Sequence, residues 1–549
     1  MSKMNRRRFL KLGIKGAAVA LTPFDLITRL LLDGAGGKSY AAEAGAMRYF
    51  MIHQPYSPSR WMFDLLLNPF NDQNFKTNAQ MGTILKTGAV ADRYTATEYA
   101  LQNMGGIHVP PMWGFNLPSN TTGTTRQLAS LIPNMLHLRG IIVSQSHELS
   151  KDYLFLPVGA TKTVSSLASE RSSDPIPAVA LHPTLPGRIN TYIYRSPNGA
   201  TAITLNSANY IKELTDAFSW PTEHAPSNSQ FAEASAKLSR EVEEFQAELD
   251  KELANENTSY DVVLSSRRDM RRLLSRGLGD PIQTWNQLLD KYSRLIRSVL
   301  TNKTFPGISD KIVGSQTGGG AAHLLGGLQS PTTDIRAMLD PAGVTVRGLA
   351  ESFAAAEFIF THNLSSSLVA NHEHIIGLAN PYQRIDPDQH AYGSLTTTYF
   401  NTMMFSALGA CLLEFVEFLK GKGLYDSTLI EIASEFNRNP KAADGGADHA
   451  SDAASSIFFS GSIKGPQIVG NISREDRPNS TYAGATYGNG VANAELGGGP
   501  LNPGHRAAVI AAVMGVTPPV ASAKSAVKKE REGKIVPEAG IQPGKIIST

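Results

Sequence analysis

Acidic and imidazole side chains are concentrated between residues 386 and 449. Six of them are candidate ligands: Asp386, Asp388, His390, Glu435, Asp448 and His449. Carboxylates and neutral imidazoles are the ligands that hard and borderline divalent cations need, provided that the fold holds them rigidly. The leading hypothesis from these residue types is therefore a divalent metal site, with zinc, manganese, magnesium and calcium all open.

The segments around these side chains carry clear hydrophobic patterns. Residues 396–422 predict a long apolar helix, and the short apolar runs 428–434 and 456–459 predict buried strands. Glu435 then stands at the end of the first strand, and a polar, glycine-rich loop with Asp448 precedes the second. Strand ends and the loops beside them can present ligands rigidly, as a metal site requires.

Apolar runs elsewhere alternate with helical patterns. Strands are predicted at residues 47–53, 138–145, 191–194 and 202–205, and helices at residues 127–136, 346–360 and 507–514. This alternation predicts an α/β fold with a mainly parallel sheet. In such sheets, ligands gather at the carboxyl ends of the strands.

Several polar residues lie near the predicted strand ends. His53 ends the first run with Asp64 beyond it, and His147 follows the second run. For His53 and Asp64, a capping or turn role is an equal alternative. His372 and His374 would point the same way on an extended segment, which is compatible with one shared metal ion.

Composition divides the chain into a signal region (1–44), an α/β domain (45–519) and a C-terminal extension (520–549). Within the domain, residues 229–305 are charged helical sequence with an apolar stripe, which predicts a helical insertion. The extension is rich in lysine, proline and glycine, which predicts either an extended wrap or a loose tail.

The N-terminus fits the twin-arginine export pattern. Asn5-Arg6-Arg7-Arg8-Phe9-Leu10-Lys11 precedes a short apolar region. This predicts export by the Tat translocase to the periplasm or another extracytoplasmic location. No later run approaches the roughly 20 apolar residues that span a bilayer, so no transmembrane segment is expected in the mature chain.

Charge and cysteine content narrow the expected partners and chemistry. Residues 1–41 carry eight basic and two acidic residues, and removing them turns the net charge of +3 into −3. The mature body therefore has no basic excess for nucleic acid.

The single cysteine, Cys411, lies in an apolar helical pattern. It can form no internal disulfide, and its surroundings do not favour a nucleophilic thiolate.

Three motifs resemble the exported bacterial family of unknown function DUF1501. They are Asp388-x-His390, the segment Glu435-Phe436-Asn437-Arg438-Asn439-Pro440, and Gly446-Ala447-Asp448-His449. The family shows W-D-T-H, E-F-G-R-T-P and G-x-D-H-W in the same order, followed by a glycine-rich turn that corresponds here to residues 461–465. The resemblance is strong in the last third of the chain.

The resemblance implies a fold similar to the alkaline phosphatase and sulfatase superfamily, a three-layer α/β/α sandwich. It also implies divalent metal ligands, namely Asp388 or Asp386, His390, Glu435, Asp448 and His449. The expected substrate-binding residues are Arg438 and His147. Arg438 would either clamp an anionic substrate or form a buried ion pair with Glu435.

The sequence also departs from the family pattern. Pro387 and Gln389 replace Trp and Thr of the first motif, Asn437 and Asn439 replace Gly and Thr of the second, and Ala450 replaces the last Trp. The Asp that many relatives carry after the first strand is missing, and no Ser or Thr nucleophile is identifiable.

Two functions are therefore open: a metal-dependent hydrolase of phosphate or sulfate esters, and a non-catalytic exported binding or cell-envelope protein. A structural metal ion without catalysis is a third possibility.

Overall fold

The computed structural model describes residues 47–54, 102–104, 107–109, 111–172, 174, 176–181, 203–205, 281–301, 347–371, 394–440, 447–450, 454–474 and 490–548. The strands in these residues are β1 (Arg48–Gln54), β2 (Gln102–Met104), β3 (Ile107–Val109), β4 (Met135–Ile141), β5 (Val179–Leu181), β6 (Ile203–Leu205), β7 (Ser367–Asn371), β8 (Thr428–Ser434), β9 (Asn437–Pro440), β10 (Ala447–Ala450), β11 (Ala454–Phe459), β12 (Gln467–Val469), β13 (Asn471–Arg474), β14 (Gly490–Val491), β15 (Val527–Lys529), β16 (Ile535–Pro537) and β17 (Ile546–Ser548). The α-helices are α1 (His147–Phe155), α2 (Val164–Leu167), α3 (Pro281–Thr301), α4 (Arg347–Thr361), α5 (Ser394–Gly421) and α6 (Pro503–Met514).

Eight strands form the central sheet in the order β12-β4-β11-β8-β1-β7-β5-β6. Every neighbouring pair is parallel except the two pairs that β11 makes with β4 and β8. The prediction of an α/β fold with a mainly parallel sheet is confirmed. The central strands β1 and β8 are buried along almost their whole length, as strands covered on both faces must be.

Helices cover both faces of this sheet. On one face, Phe50 and Ile52 of β1 join a core with residues of α3, α4 and α5. On the other face, Tyr49 and Met51 join a core with residues of α1, α2 and α6. Because side chains alternate along a strand, a single apolar run supplies both cores. The described residues thus form three layers, helices on either side of a sheet.

The predicted helical insertion is described only in α3. Its buried residues, among them Trp285, Tyr292 and Ile296, belong to the same core as Phe50. The C-terminal residues wrap around the domain, because Val527 and Ile535 enter the second core and β17 pairs with β13. Of the two alternatives for the extension, the structure shows the wrap.

The region before β4 differs from its prediction. A helix was expected at residues 127–136 and a strand at 138–145, whereas a 3-10 helix covers Leu128–Asn134 and β4 begins at Met135. Pro133 explains the difference, since proline has no backbone N–H and cannot sit inside an α-helix without breaking it. The predicted strand at residues 191–194 lies outside the described residues. No helix among the described residues is both long and apolar enough to cross a membrane.

A buried ion pair ties the second helical layer to the sheet. Arg506 of α6 donates from Nε to Glu431 Oε1 at 2.5 Å and from Nη2 to Oε2 at 2.7 Å, and neither side chain is exposed. The Tyr49 hydroxyl donates to the same carboxylate. Burial and the Glu431 carboxylate raise the pKa of Tyr49 well above its usual value, so the phenol remains a donor.

This pair gives a stability prediction. Glu431→Gln should lower the free energy of unfolding by about 3–5 kcal/mol, because it leaves the Arg506 charge buried without its counter-charge. The double variant Glu431→Leu with Arg506→Met should lose much less. Urea unfolding measures both, with Arg531→Met at an exposed position as the control. Equal losses in the single and double variants would contradict the prediction.

Glu414 of α5 binds the loop at residues 119–121 to the helical layer on the other face of the sheet, which contains α3, α4 and α5. Its carboxylate accepts hydrogen bonds from the Thr121 hydroxyl, the Ser119 hydroxyl and the backbone N–H of Asn120, and Lys291 lies 3.5 Å away. Burial alone would raise the pKa of Glu414, but these donors and the ammonium outweigh burial and lower it.

The lowered pKa predicts the pH range in which Glu414 stabilises the fold. Its contribution should be complete above about pH 5, where the carboxyl is ionised even in the unfolded chain, and should be lost as pH falls through the lowered pKa. We expect Glu414→Gln to be less stable than the parent at pH 7 by about 1–3 kcal/mol and the difference to shrink below pH 4. A difference that does not change with pH in unfolding experiments would refute this.

Candidate functional site

The carboxyl ends of three sheet strands lie at one edge of the sheet. β1 and β8 are parallel, and β4 runs the same way as β8 because β11 lies antiparallel between them. His53 stands near the end of β1, Glu435 follows β8, and His147 begins α1 six residues after β4. These side chains meet at the position where open α/β sheets bind ligands.

The Glu435 carboxylate is the centre of this edge site, and its side chain has no solvent exposure. Its Oε2 atom contacts Nδ1 of His147. Its Oε1 atom lies 3.4 Å from Nζ of Lys151 and 3.8 Å from Nε2 of His53. One buried carboxylate thus faces one ammonium and two imidazoles, so its negative charge is balanced within the protein.

α1 supplies two of these partners. His147 and Lys151 are four residues apart, which places them on one face of the helix, and they approach different oxygens of the same carboxylate. Ser144 makes two hydrogen bonds near the start of α1. Its carbonyl accepts from the Ser150 hydroxyl at 2.6 Å, and its hydroxyl accepts from the backbone N–H of Ser146 at 3.1 Å. The position of the pair is therefore fixed by local hydrogen bonds.

A hairpin of β9 and β10 brings in a further imidazole. Nδ1 of His449 donates to the carbonyl oxygen of Gln145 at 2.7 Å, which joins the hairpin to the segment after β4. The ring centroid of His449 lies 4.5 Å from that of His147 and 4.2 Å from that of Phe436. Two imidazoles and a buried phenyl ring therefore pack at the outer side of Glu435.

The structure brings together some of the residues that the sequence selected. Glu435, His147 and His449 converge, and Arg438 lies opposite His449 in the register of the hairpin. Asp448 is on β10 opposite Asn439, and its side chain is outside what the structure describes, as is that of Arg438. The residues that fall wholly outside the described ranges are Asp64, His372, His374, Asp386, Asp388 and His390.

Sequence reasoning missed Lys151 and did not include His53 among the site residues. A usable signal existed for Lys151, because a histidine at a strand end followed four residues later by lysine would share a face if a helix began there. The sequence interpretation carried the strand to residue 145 and placed no helix after it, so this spacing was not considered.

The donor atoms around Glu435 suit a divalent cation in their chemistry but not in their arrangement. Carboxylate oxygen and imidazole nitrogen suit zinc or manganese chemically. Within the described ranges, however, no three His, Cys, Asp or Glu side chains are arranged to hold a metal ion. Both Glu435 oxygens face other groups of this chain, one Lys151 and the other His147. Glu435 and its neighbours thus do not fit a metal ion in this arrangement.

The same geometry suits proton transfer. An ionised carboxylate can only accept, so His147 presents Nδ1–H to it, and in the neutral form of this imidazole Nε2 carries the lone pair. The His147 side chain is 25% exposed, so the imidazole connects a buried carboxylate with solvent. A carboxylate that orients a partly exposed imidazole is the arrangement of a general acid–base pair.

Comparison with known proteins supports the resemblance for part of the chain. Residues 388–478 match the model of a family described as "Protein of unknown function (DUF1501)". This segment includes α5, β8, the hairpin and β11, and hence Glu435 and His449. No curated protein and no solved structure matches the chain.

The contact between His449 and Gln145 gives a prediction about local stability. His449→Ala should speed amide hydrogen exchange in residues 437–440 and 447–450 about fivefold, because one hydrogen bond contributes roughly 1 kcal/mol to holding the hairpin. Exchange measured by mass spectrometry reports this. The control is His362→Ala, which alters a histidine that packs on Phe358 after α4. Unchanged exchange in the hairpin would show that the contact does not hold it.

Proposed function

We propose that the protein is an exported hydrolase of phosphate or sulfate esters in which His147, oriented by Glu435, transfers the proton. The observation that carries this proposal is the buried Glu435 carboxylate against Nδ1 of a partly exposed imidazole. It lies at the carboxyl ends of parallel strands, where α/β folds place their reactive groups.

In the proposed reaction, His147 Nε2 accepts a proton from the water that attacks the ester, and the imidazolium returns it to the leaving alcohol. The Glu435 carboxylate stabilises the imidazolium and keeps the ring in the required tautomer. Burial strengthens this effect, since electrostatic interactions are weakly screened away from solvent. The positions of the substrate and the water are part of the proposal.

The substrate class rests on the resemblance to the alkaline phosphatase and sulfatase superfamily. Arg438 supports it, because its place on β9 opposite His449 puts a guanidinium-bearing residue on the hairpin at the same edge. Guanidinium groups bind phosphate and sulfate oxygens in pairs of hydrogen bonds. An anionic ester with its reacting bond near His147 would agree with this placement.

A divalent cation enters the proposal only through the resemblance, which implies Asp388 or Asp386, His390, Glu435, Asp448 and His449 as its ligands. Such an ion would polarise the ester and acidify a bound water. Because the described residues around Glu435 do not fit a metal ion, the proton transfer belongs to His147 and Glu435 alone. Export through the Tat translocase to an extracytoplasmic location is supported by the twin-arginine sequence alone.

The proposal predicts loss of turnover without loss of folding. His147→Ala should lower kcat on p-nitrophenyl phosphate or p-nitrophenyl sulfate about a hundredfold or more, because the proton acceptor is removed. Purified protein is assayed with zinc, manganese, magnesium or calcium added singly, and its metal content is measured by mass spectrometry. His362→Ala is the matched control and should keep full activity.

A competing function is a non-catalytic exported binding or cell-envelope protein. The observation that favours it is the sequence after β1, which has Pro55-Tyr56 and Met62 near the place where many relatives carry Gly-Gly and an Asp. Turnover of neither ester under any metal condition, by folded protein, would refute the hydrolase and leave this alternative. Activity that His147→Ala retains would refute the role of His147.

A further inference from the structure

We propose that Lys151 is a positioning residue that supplies the cation of the edge site, so that an amine of the chain occupies the place beside Glu435 where a metal ion would bind. The inference concerns the organisation of the site and does not require that the protein hydrolyses any ester.

The burial of both groups is the first part of the argument. The Lys151 side chain is 2% exposed and that of Glu435 is not exposed at all, with 3.4 Å between Nζ and Oε1. An ionised carboxylate is very costly to bury alone, and a paired cation offsets much of that cost. Lysine is rarely buried to this extent unless it is paired. Each charge therefore offsets part of the cost of burying the other.

The way in which α1 approaches the carboxylate is the second part. His147 contacts Oε2 and Lys151 faces Oε1, and one helical turn separates the two residues. The helix thus faces both oxygens at once, with a hydrogen bond at Oε2 and an ion pair without a hydrogen bond at Oε1. The Nε2 atom of His53, near the end of β1, lies 3.8 Å from the same Oε1 atom.

The positions of Lys151 and His147 restrict the binding of a divalent cation to Glu435. A divalent ion that bound Glu435 would have to displace an ammonium from Oε1 or an imidazole from Oε2. Removal of the lysine side chain frees Oε1 of a buried carboxylate beside two imidazoles, and zinc and manganese accept these donor types once the side chains turn towards the ion. The lysine therefore competes with a metal ion for this oxygen.

A double-mutant cycle tests the pairing. Lys151→Ala and Glu435→Gln should each lower the melting temperature by about 5 °C or more, because each leaves a buried charge without the group that balances it. The variant with both substitutions should recover most of the loss, and Lys151→Arg should stay close to the parent. If a single variant fails to fold while the double variant folds, the pairing is supported.

Additive losses, or a double variant that also fails to fold, would overturn the proposal. A Lys151→Ala protein as stable as the parent would overturn it as well, since a buried ammonium that balances nothing can be removed without penalty to the carboxylate.

Metal uptake separates positioning from a merely structural role. After incubation with zinc chloride or manganese chloride and desalting, Lys151→Ala should hold one equivalent more than the parent. Lys151→Ala with Glu435→Gln should show no such gain, and neither should Lys151→Arg. Equal uptake by Lys151→Ala and the parent would overturn the inference. None of these measurements uses turnover, so an inert parent protein would refute the hydrolase and leave this result standing.

Discussion

The need to balance buried carboxylates organises this molecule. Strand β8 is covered on both faces and still carries Glu431, with Glu435 directly after it, and neither side chain has any solvent exposure. Buried negative charge persists only where a cation and hydrogen-bond donors meet it. Two helices of the same layer supply those cations, Arg506 from α6 and Lys151 from α1. The placement of that layer on the sheet thus follows from charge as well as from apolar packing.

The two carboxylates are four residues apart and serve different purposes. The Glu431 carboxylate accepts hydrogen bonds from Nε and Nη2 of Arg506 and from the Tyr49 hydroxyl. All three side chains are fully buried, so no ligand contacts this carboxylate. Glu435 stands past the end of the strand, and one of its partners, His147, is partly exposed. The first site fixes α6 to the sheet, whereas the second joins a rigid interior to the surface, which is the condition for acid–base chemistry.

Much of the fold follows from apolar runs in the sequence. β1, β8 and β11 and the helices α4, α5 and α6 lie close to where the patterns predicted them, because strands and helices buried on most sides need long apolar segments. The edge site was less predictable. His449 bonds to Gln145, which lies 304 residues away in the sequence. Lys151 is placed at the site by a spatial contact, with 3.4 Å between its Nζ and Glu435 Oε1. Neither contact leaves a periodic trace in the sequence.

The residue type at the end of β1 agrees with an amine at Glu435. Here β1 ends in His53, whose Nε2 lies 3.8 Å from Glu435 Oε1. A second carboxylate in that place would put two negative charges against the single ammonium of Lys151, and the site would then need a further cation. An imidazole adds no negative charge, so the histidine at the end of β1 and the lysine of α1 are two parts of one electrostatic balance.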